Sequence, residues 1–251
     1  DRIIGAINPR PDDNLVEIGP GMGALSEPLL RACPGLQMIE LDRDLIPGLR
    51  TRFFRHPELT VHAGDALRFD YRSIAGRGPL RVVGNLPYNI SSPVVVKLGA
   101  SRTHVRRAVL MFQKEMARRL AAGPGTKVYG RLSVMLAYCA AVRTDARIPA
   151  RSFYPRPRVD SEVLSIDFFR TPPVVADDED FLFEVVKAAF GKRRKTLKNA
   201  LSGSGLRLDA AGAEASLVEA EIQPTRRAET LTVAELVRLS RTAHRHLADG
   251  G

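Results

Sequence analysis

"LVEIGPGMGAL", residues 15–25, is an apolar run followed by Gly19, Gly21 and Gly23, three glycines spaced two residues apart. Glycines allow a sharp turn and let a ligand approach the main chain closely. The stretch that follows has helical character, so the segment predicts a strand, a glycine loop and a helix. Residue 24 is Ala, the Lys-Ser/Thr of a P-loop is absent, and Glu17 departs from NAD sites. The loop alone therefore does not identify its ligand.

Further apolar runs recur along the chain with helical stretches between them. The runs cover residues 36–41, 59–64, 80–85 and 107–113, and the helical stretches cover residues 43–54, 91–100, 114–121 and 131–141. Short strands alternating with helices predict a mostly parallel sheet with helices on both faces. Two extended runs near 142–148 and 158–168 predict an antiparallel hairpin at the sheet edge. The expected fold class is therefore α/β.

The chain divides by composition into two predicted domains. Residues 1–168 form the sheet domain, and residues 169–180 read as a linker because Pro-Pro is followed by an acidic cluster suited to a helix N-terminus. Residues 181–251 predict a small all-α domain, with "DEDFLFEVVKAAFGKRRKTLKNAL" as one helical run. Thr232 and Glu235 form a predicted capping box at the start of the last helix.

Acidic residues end the second and third predicted strands. Glu40 can accept hydrogen bonds from both ribose hydroxyls of an adenosine-containing ligand, and Asp65 can accept one from an adenine amino group. Leu41 and Ala66, their neighbours in sequence, are assigned to the same site. Each feature alone could be a tight turn, a surface carboxylate or a helix cap. Their succession at consecutive strand ends predicts a nucleoside cleft at the carboxyl edge of the sheet.

The fourth strand ends in "NLPY", which predicts a site for an aromatic amine. The side-chain carbonyl of Asn85 and the main-chain carbonyl of Leu86 can accept the two amine hydrogens, and Pro87 fixes the turn. Tyr88 offers a flat face for stacking. Two acceptors favour the pyramidal nitrogen and free its lone pair, so the catalytic contribution is positioning and electrostatics.

The composition restricts the partners and the compartment. The net charge is +10, and the excess lies entirely within residues 1–166. It indicates either a polyanionic partner or an arginine-rich solvated surface. Two cysteines without metal or redox spacing suit a reducing cytoplasm, and no metal site is expected. No apolar run reaches the roughly 20 residues that cross a bilayer, so no membrane partner is expected.

Several motifs together resemble the KsgA/RsmA-type 16S rRNA adenine dimethyltransferases. They are "VEIGPGMGAL", "IELDRDL", "GDAL", "GNLPYNISSP", "GRLSVM", "FYPRPRVDSEV" and "KRRKTLKNAL", and they span nearly the whole chain. The resemblance implies a Rossmann-like class I methyltransferase sheet with a helical C-terminal domain. It also implies transfer of methyl groups from S-adenosylmethionine to N6 of two adjacent adenines near the 3′ end of small-subunit rRNA, which yields S-adenosylhomocysteine.

The resemblance implies roles for individual residues. The cofactor-binding candidates are Glu17, Gly19, Gly21, Glu40, Leu41, Asp65, Ala66 and Asn85. Gly19 and Gly21 line the methionine portion. Asn85 and Leu86 hold the target amine, Tyr88 stacks on the target base, and Phe153 covers the other face of that base. The RNA-binding candidates are Lys114, Arg118, Arg156, Lys192, Arg193, Arg194, Lys195 and Lys198. The "KRRK" run could equally be a solvated helix face.

The family normally begins with an F-G-Q-N-F-L segment that closes over the cofactor, and this sequence starts after it. We therefore expect upstream residues in the full protein. A monomer that acts on immature small subunits in the cytoplasm during ribosome biogenesis is expected. Three alternatives remain: an assembly factor for which methylation is secondary, a large-subunit rRNA methyltransferase, and a DNA N6-adenine methyltransferase.

Overall fold

A seven-stranded sheet is the scaffold of the computed structural model, which describes residues 2–76, 78–87, 89–153, 156–192 and 194–249. Its strands are Leu15–Ile18 (β1), Gln37–Glu40 (β2), Thr60–Ala63 (β3), Leu80–Asn85 (β4), Val105–Gln113 (β5), Ala140–Ile148 (β6) and Ser161–Phe168 (β7). The α-helices are Arg2–Ile7 (α1), Ser26–Ala32 (α2), Leu45–Arg52 (α3), Ser91–Ala100 (α4), Lys114–Leu120 (α5), Arg131–Cys139 (α6), Glu179–Gly191 (α7), Leu197–Ser202 (α8), Ala210–Glu219 (α9) and Val233–Asp249 (α10).

The strand order is β3-β2-β1-β4-β5-β7-β6, and the first five strands in this order run parallel. The chain leaves the sheet after β1, crosses outward to β2 and β3, and returns to β4 beside β1. This reversal of direction is a topological switch point, where α/β sheets bind ligands at the carboxyl ends of the strands. The predicted mostly parallel α/β sheet is confirmed.

The antiparallel pair β6 and β7 closes one side of the sheet. β7 lies between β5 and β6 and runs antiparallel to both, with Leu110 opposite Leu164. Every residue of β7 except Asp167 is buried, whereas the residues of β6 between its two buried ends are exposed or half-buried because β6 is the edge strand. The predicted hairpin at the sheet edge is confirmed, although β6 begins at Ala140 and the preceding helix ends two residues earlier than expected.

Gly84 lets β1 and β4 approach each other at the carboxyl edge. Gly84 is paired with Ile18, and a Cβ atom placed on it would lie 2.8 Å from the carbonyl oxygen of Ile18. The same atom would lie 3.3 Å from Cδ2 of Leu86. Any side chain at this position would force the two strand ends apart. Since the glycine loop follows β1 and Asn85 follows Gly84, this contact fixes the position of the candidate site.

The chain forms two compact units. Residues 1–117 and 139–170 form the sheet unit, and residues 118–138 and 171–251 form a helical unit. The predicted boundaries at 168 and 180 assigned residues 118–138 to the sheet domain, whereas in the structure this segment packs within the helical unit. Tyr129, for example, donates its hydroxyl hydrogen to the carbonyl oxygen of Leu231 at 3.1 Å. Such a contact between residues distant in sequence leaves no mark in local composition.

Helices α7 and α10 of the second unit begin at side-chain caps. Oδ1 of Asp178 accepts a hydrogen bond from the main-chain amide of Phe181 at the start of α7, at 2.9 Å. The predicted capping box at α10 is present, because Glu235 accepts from the amide of Thr232 at 2.7 Å and Thr232 accepts from the amide of Glu235 at 3.2 Å. Each cap satisfies amides that the first helical turn leaves unpaired.

The helical run predicted from residue 178 to residue 201 is divided in the structure. α7 ends at Gly191 and α8 begins at Leu197, so the basic run lies in the connection between them rather than at a helix start. The apolar periodicity continues across the break, which is why the sequence reads as one helix. None of the helices in the described parts of the chain is long and apolar enough to cross a membrane.

Candidate active site

The glycine loop adopts a main-chain conformation that favours glycine. Gly19, Gly21 and Gly23 have φ angles of 64°, 56° and 80°, in the left-handed region. A Cβ atom on Gly23 would also lie 2.8 Å from the Phe53 ring. By contrast, no described atom lies within 4 Å of a Cβ position on Gly19 or Gly21. The main chain at these two residues is thus open to a ligand.

Glu40 holds the glycine loop to the end of β2. Its side chain is buried, its Oε2 accepts a hydrogen bond from the amide of Gly21 at 3.0 Å, and its Oε1 accepts one from the amide of Asp42 at 3.0 Å. Each carboxylate oxygen can accept more than one hydrogen bond. Glu40 therefore retains acceptor capacity toward a ligand while it positions the loop.

Glu17 lies inside the protein, behind the loop. Only 1% of the residue is exposed, and its Oε2 accepts a hydrogen bond from the hydroxyl of Ser26 at 2.6 Å. Burial raises the pKa of Glu17 to about 7, the hydrogen bond from Ser26 opposes this rise, and the charge of Glu40 adds to it. Sequence reasoning missed Ser26. Ser26 lies in the first turn of α2, just after the loop, and this position could have marked it as a partner of a strand-end carboxylate.

The end of β3 supplies a half-exposed carboxylate. Oδ1 of Asp65 accepts a hydrogen bond from the amide of Leu67 at 2.9 Å, and Oδ2 lies 4.0 Å from Nε of Arg68. The predicted neighbour Ala66 is buried, and its carbonyl oxygen accepts the hydroxyl hydrogen of Tyr71 at 3.0 Å. Asp65 is free to turn its outer oxygen toward a ligand, while Ala66 contributes to the packing beneath.

Two apolar side chains next to these polar groups are exposed to solvent. Leu41, directly after Glu40, is 67% exposed, and Met22, within the glycine loop, is 74% exposed. Large apolar side chains are most often covered, so two of them beside one loop indicate a surface that a ligand covers. Leu41 was among the predicted residues and Met22 was not. Met22 lies between Gly21 and Gly23 in the sequence, and this position could have marked it as a site residue.

Asn85 is the last residue of β4 and is exposed at the same edge. Its side chain has no hydrogen-bond partner among the described residues, so its carbonyl oxygen is available. The side chain of Leu86 is buried, and the turn that follows is closed by hydrogen bonds from the amide of Ile90 and the hydroxyl of Ser91 to the carbonyl oxygen of Pro87, both at 3.2 Å. The main chain at Leu86 is thereby held between the strand and α4.

Tyr88 and Phe153 are the two aromatic residues predicted to enclose the target base. Tyr88 lies outside the described residues. Phe153 is half-buried and packs against the apolar cluster that includes Ile148 and Val163. Its amide donates to the carbonyl oxygen of Ala150 at 3.3 Å. Its role against a base stays a prediction.

The predicted RNA-binding residues fall into both units. Lys114 and Arg156 belong to the sheet unit, and the others belong to the helical unit. Arg118, Arg156, Lys192, Arg194 and Lys195 are exposed, Lys114 is half-buried, and Arg193 lies outside the described residues. Lys198 is half-buried and forms an ion pair with Glu214, Nζ to Oε2 at 2.5 Å. Lys198 is thus less available to a phosphate than its neighbours in sequence.

The predicted absence of a metal stays a prediction. Across the parts of the chain that the structure covers, no three side chains of His, Cys, Asp or Glu are grouped so as to hold a metal ion. The two cysteines, Cys33 and Cys139, are buried and unpaired with each other.

Comparison with known proteins identifies relatives along almost the full length of the chain. The sequence model of a family described as Ribosomal RNA adenine dimethylase matches residues 1–242. A protein named Ribosomal RNA small subunit methyltransferase A from Chromohalobacter salexigens is 48% identical over 245 residues, which cover 96% of this chain and 84% of that protein. A protein of the same name from Syntrophotalea carbinolica is 46% identical over 246 residues, covering 98% and 92%.

Solved structures agree with the fold. A dimethyladenosine transferase from Plasmodium falciparum superimposes with a TM-score of 0.80 at 25% identity, over 98% of this chain and 95% of that one. The 23S rRNA methyltransferase ErmE superimposes with a TM-score of 0.71 at 23% identity, over 97% and 96%. At that identity the second likeness bears on the fold alone.

Proposed function

The chain belongs to the ribosomal RNA adenine dimethylase family, and on this premise we propose that it transfers methyl groups from S-adenosylmethionine to N6 of two adjacent adenines in the 3′-terminal hairpin of 16S rRNA. The relatives that are 46–48% identical carry the name small subunit methyltransferase A, which favours the small subunit over the large one. The fold resemblance to the 23S rRNA enzyme does not oppose this, because fold does not determine substrate.

One observation carries the proposal: Ile18 and Gly84 are register partners in adjacent parallel strands. Neighbouring strands lie about 4.8 Å apart, so the glycine loop after Ile18 and Asn85 after Gly84 begin side by side at one edge. A ligand against the loop and an amine against Asn85 would meet there. This is the arrangement that transfer between two bound molecules needs.

The site fits S-adenosylmethionine. The loop is open at Gly19 and Gly21, Glu40 has spare acceptor capacity, and the exposed Met22 and Leu41 could cover the apolar faces of a nucleoside. When bound, this cofactor supplies an electrophilic methyl group on a positively charged sulfur.

Asn85 and Leu86 position the target amine in this proposal. The side-chain carbonyl of Asn85 and the main-chain carbonyl of Leu86 accept its two hydrogens, which turns the nitrogen lone pair toward the methyl group. No described residue at this edge is needed as a strong base, because the nitrogen becomes more acidic once it is alkylated and can lose its proton to water. Tyr88 and Phe153 are proposed to stack on the two faces of the base, which must leave its helix first.

We further propose a binding partner, an oligomeric state and a cellular compartment for this protein. The substrate is the rRNA within the immature small subunit, the protein acts as a monomer, and it works in the cytoplasm. The basic residues Arg118, Lys192, Arg194 and Lys195 are exposed and could bind rRNA phosphates.

The test is methyl transfer from radiolabelled S-adenosylmethionine to unmethylated small subunits, followed by mapping of the modified nucleotides. Wild-type protein should label two adjacent adenines near the 3′ end. Asn85→Ala should reduce the label at least a hundredfold, and Asn199→Ala, an exposed asparagine in α8, should leave it unchanged. Label on large subunits, or none on either subunit, would contradict the proposal. If Asn85→Ala still binds subunits, then binding and methylation are separable and an assembly role is supported.

A further inference from the structure

A cavity lined by arginines lies in the sheet unit, outside the candidate active site. Its volume is about 1040 Å³. Its lining comes from α1 and the loop after it, the amino ends of β4 and β5, and β6 with the end of β7. None of its lining residues belongs to the glycine loop or to the turn that follows Asn85. We call it the arginine cavity.

The arginine cavity carries a large excess of positive charge. Among the described residues, seven arginines and three aspartates line it, and no lysine, glutamate or histidine does. The seven arginines are Arg2, Arg10, Arg81, Arg106, Arg107, Arg143 and Arg147. They come from segments spread over 146 positions of the chain, so the concentration of charge is produced by the fold and not by a basic run. An ordinary solvated surface disperses its cations among carboxylates instead.

Part of this set is fixed in place by the three aspartates. Arg81 is ion-paired with Asp13, and Nε of Arg143 lies 2.7 Å from Oδ1 of Asp145. Nε of Arg107 lies 3.5 Å from Oδ1 of Asp167. The terminal nitrogen Nη2 of the same guanidinium donates to the hydroxyl oxygen of Ser165 at 2.9 Å. These guanidinium groups are therefore held rigidly before any ligand arrives.

Of the other four arginines, Arg147 is ion-paired with Glu162, Nε to Oε1 at 3.3 Å, and the remaining three have no anionic partner among the described residues. Arg2, Arg10 and Arg106 are exposed, and within the described ranges none of them forms an ion pair. Arg2 donates only to the carbonyl oxygen of Arg147, at 3.2 Å. In addition, Nε of Arg107 is buried and has no hydrogen-bond partner, since its carboxylate neighbour is too far or poorly aligned. Positive groups held close together without counter-charges repel each other, which an anion would relieve.

Guanidinium groups from several directions suit a phosphate chain better than any other ligand. Arginine presents a fork of donors that matches two phosphate oxygens, and it is the residue most used for phosphate recognition. The cavity is open and far larger than one phosphate ion, and its arginines are spread around the rim. This arrangement favours several phosphates linked by a flexible backbone, as in RNA.

We propose that the arginine cavity binds backbone phosphates of the RNA substrate, at a point remote from the methyl-transfer edge. This inference rests on the proposed function. Arg81 and Asn85 lie on the same strand, four residues apart, so their Cα atoms are separated by about 13 Å. The contact would add affinity and set the orientation of the RNA without touching the reacting atoms.

The test is the salt dependence of binding to unmethylated small subunits. The variant is Arg10→Gln with Arg106→Gln, because both side chains are exposed and neither stabilises a described carboxylate. The control is Arg50→Gln with Arg72→Gln, which removes the same charge from exposed arginines of the same unit. The cavity variant should lower the slope of log affinity against log salt by roughly 1.4 to 1.8, since each lost phosphate contact contributes about 0.7 to 0.9. The control should leave the slope unchanged.

Four further measurements separate the possible outcomes. Thermal unfolding and S-adenosylhomocysteine affinity should match the wild type in both variants, which shows that the fold is intact. Methyl transfer by the wild-type protein tests the proposed function independently of the cavity. Equal slopes in the cavity variant and the control overturn the inference while leaving the function standing. If inorganic phosphate raises the unfolding temperature of the wild type but not of the cavity variant, with equal slopes for subunits, the cavity binds free phosphate and the RNA assignment is wrong.

Discussion

The amide of Gly21 donates a hydrogen bond to Oε2 of Glu40 at 3.0 Å, and this bond joins the ends of the first two strands. The loop could bend in other ways, because its glycines tolerate many conformations. The buried carboxylate selects one of them. A single side chain thus both shapes the loop and faces the proposed ribose site, and this double role makes its replacement informative.

Replacement of Glu40 by Gln should weaken cofactor binding. Glutamine has one acceptor oxygen where glutamate has two, so the amide of Gly21 or of Asp42 loses its partner. A hydrogen bond to a charged group contributes about 1.5–3 kcal/mol, so without it the loop is less well held for the cofactor, and S-adenosylhomocysteine affinity measured by titration calorimetry should fall roughly tenfold. Glu58→Gln, at an exposed position, is the control. Unchanged affinity for Glu40→Gln would show that the bond does not shape the site.

Replacement of Gly84 by Ala should disturb both the fold and the site. The added methyl group would lie 2.8 Å from the carbonyl oxygen of Ile18, so β1 and β4 must separate. We expect a loss of about 1–3 kcal/mol in the free energy of unfolding in urea, together with reduced methyl transfer. Gly48→Ala, within α3 and with no described atom within 4 Å of the added methyl, should be neutral or slightly stabilising. Equal stability of the two variants would contradict the close approach.

Glu17 should make the stability of the ligand-free protein depend on pH. Burial raises the pKa of Glu17 to about 7, so the folded protein keeps a proton that the unfolded chain loses at lower pH. Stability is therefore lost as pH rises from about 4.5 to about 7, and the full penalty remains above pH 7. Glu17→Gln removes this penalty. Relative to wild type, the variant should gain about 3 kcal/mol in unfolding free energy between pH 5 and pH 8.

The opposite result for Glu17 would be equally clear. If the difference between Glu17→Gln and wild type stays constant from pH 5 to pH 8, the carboxyl group titrates at its ordinary pKa and is more solvated than its burial implies. Urea unfolding at both pH values, with Glu27→Gln as the comparison at an exposed carboxylate, measures this directly. Hydrogen bonds from Arg52 and Arg31 lower the pKa of Glu27, so this group stays ionised above pH 5. Glu27→Gln should therefore lower the unfolding free energy by an amount that hardly changes between pH 5 and pH 8.

Lys195, in the connection after α7, and Lys198, in α8, should differ in their contribution to RNA binding. Lys195 is exposed, whereas Lys198 is ion-paired with Glu214. Lys195→Ala should weaken subunit binding and reduce the salt slope by about 0.7 to 0.9, the value for one phosphate contact. Lys198→Ala should have a smaller effect on the slope, because that charge is already partly neutralised. Equal effects would show that the ion pair opens when RNA binds.

Several features of the fold and site could be predicted from the sequence because they depend on neighbours along the chain. Apolar runs alternating with helical stretches predicted the parallel sheet, and the capping box of Thr232 and Glu235 predicted the start of α10. Glu40 and Asn85 could be placed at one edge because the ends of parallel strands meet there. The motifs resembling a known family predicted the enzyme class.

Other features could not be predicted because they depend on which distant residues meet. The division of residues 178–201 into two helices leaves the apolar period intact, and Lys198 gives no sign in sequence of its partner Glu214. The burial of Glu17 against Ser26 follows from the helix packing after the loop, which no local pattern encodes. Each of these features depends on the position of a second segment of the chain, which the local sequence does not specify.

The sequence by itself determined the class of fold, the order of polar strand ends and the family of this protein, since short-range periodicity and motif spacing fix these. Only the tertiary structure decided that Arg10, Arg81, Arg106 and Arg143 line one cavity. Their charges are scattered along the chain, and the register of β4, β5, β6 and β7 brings them together. Electrostatic interactions act through space, so a concentration of charge exists only once the strands are paired.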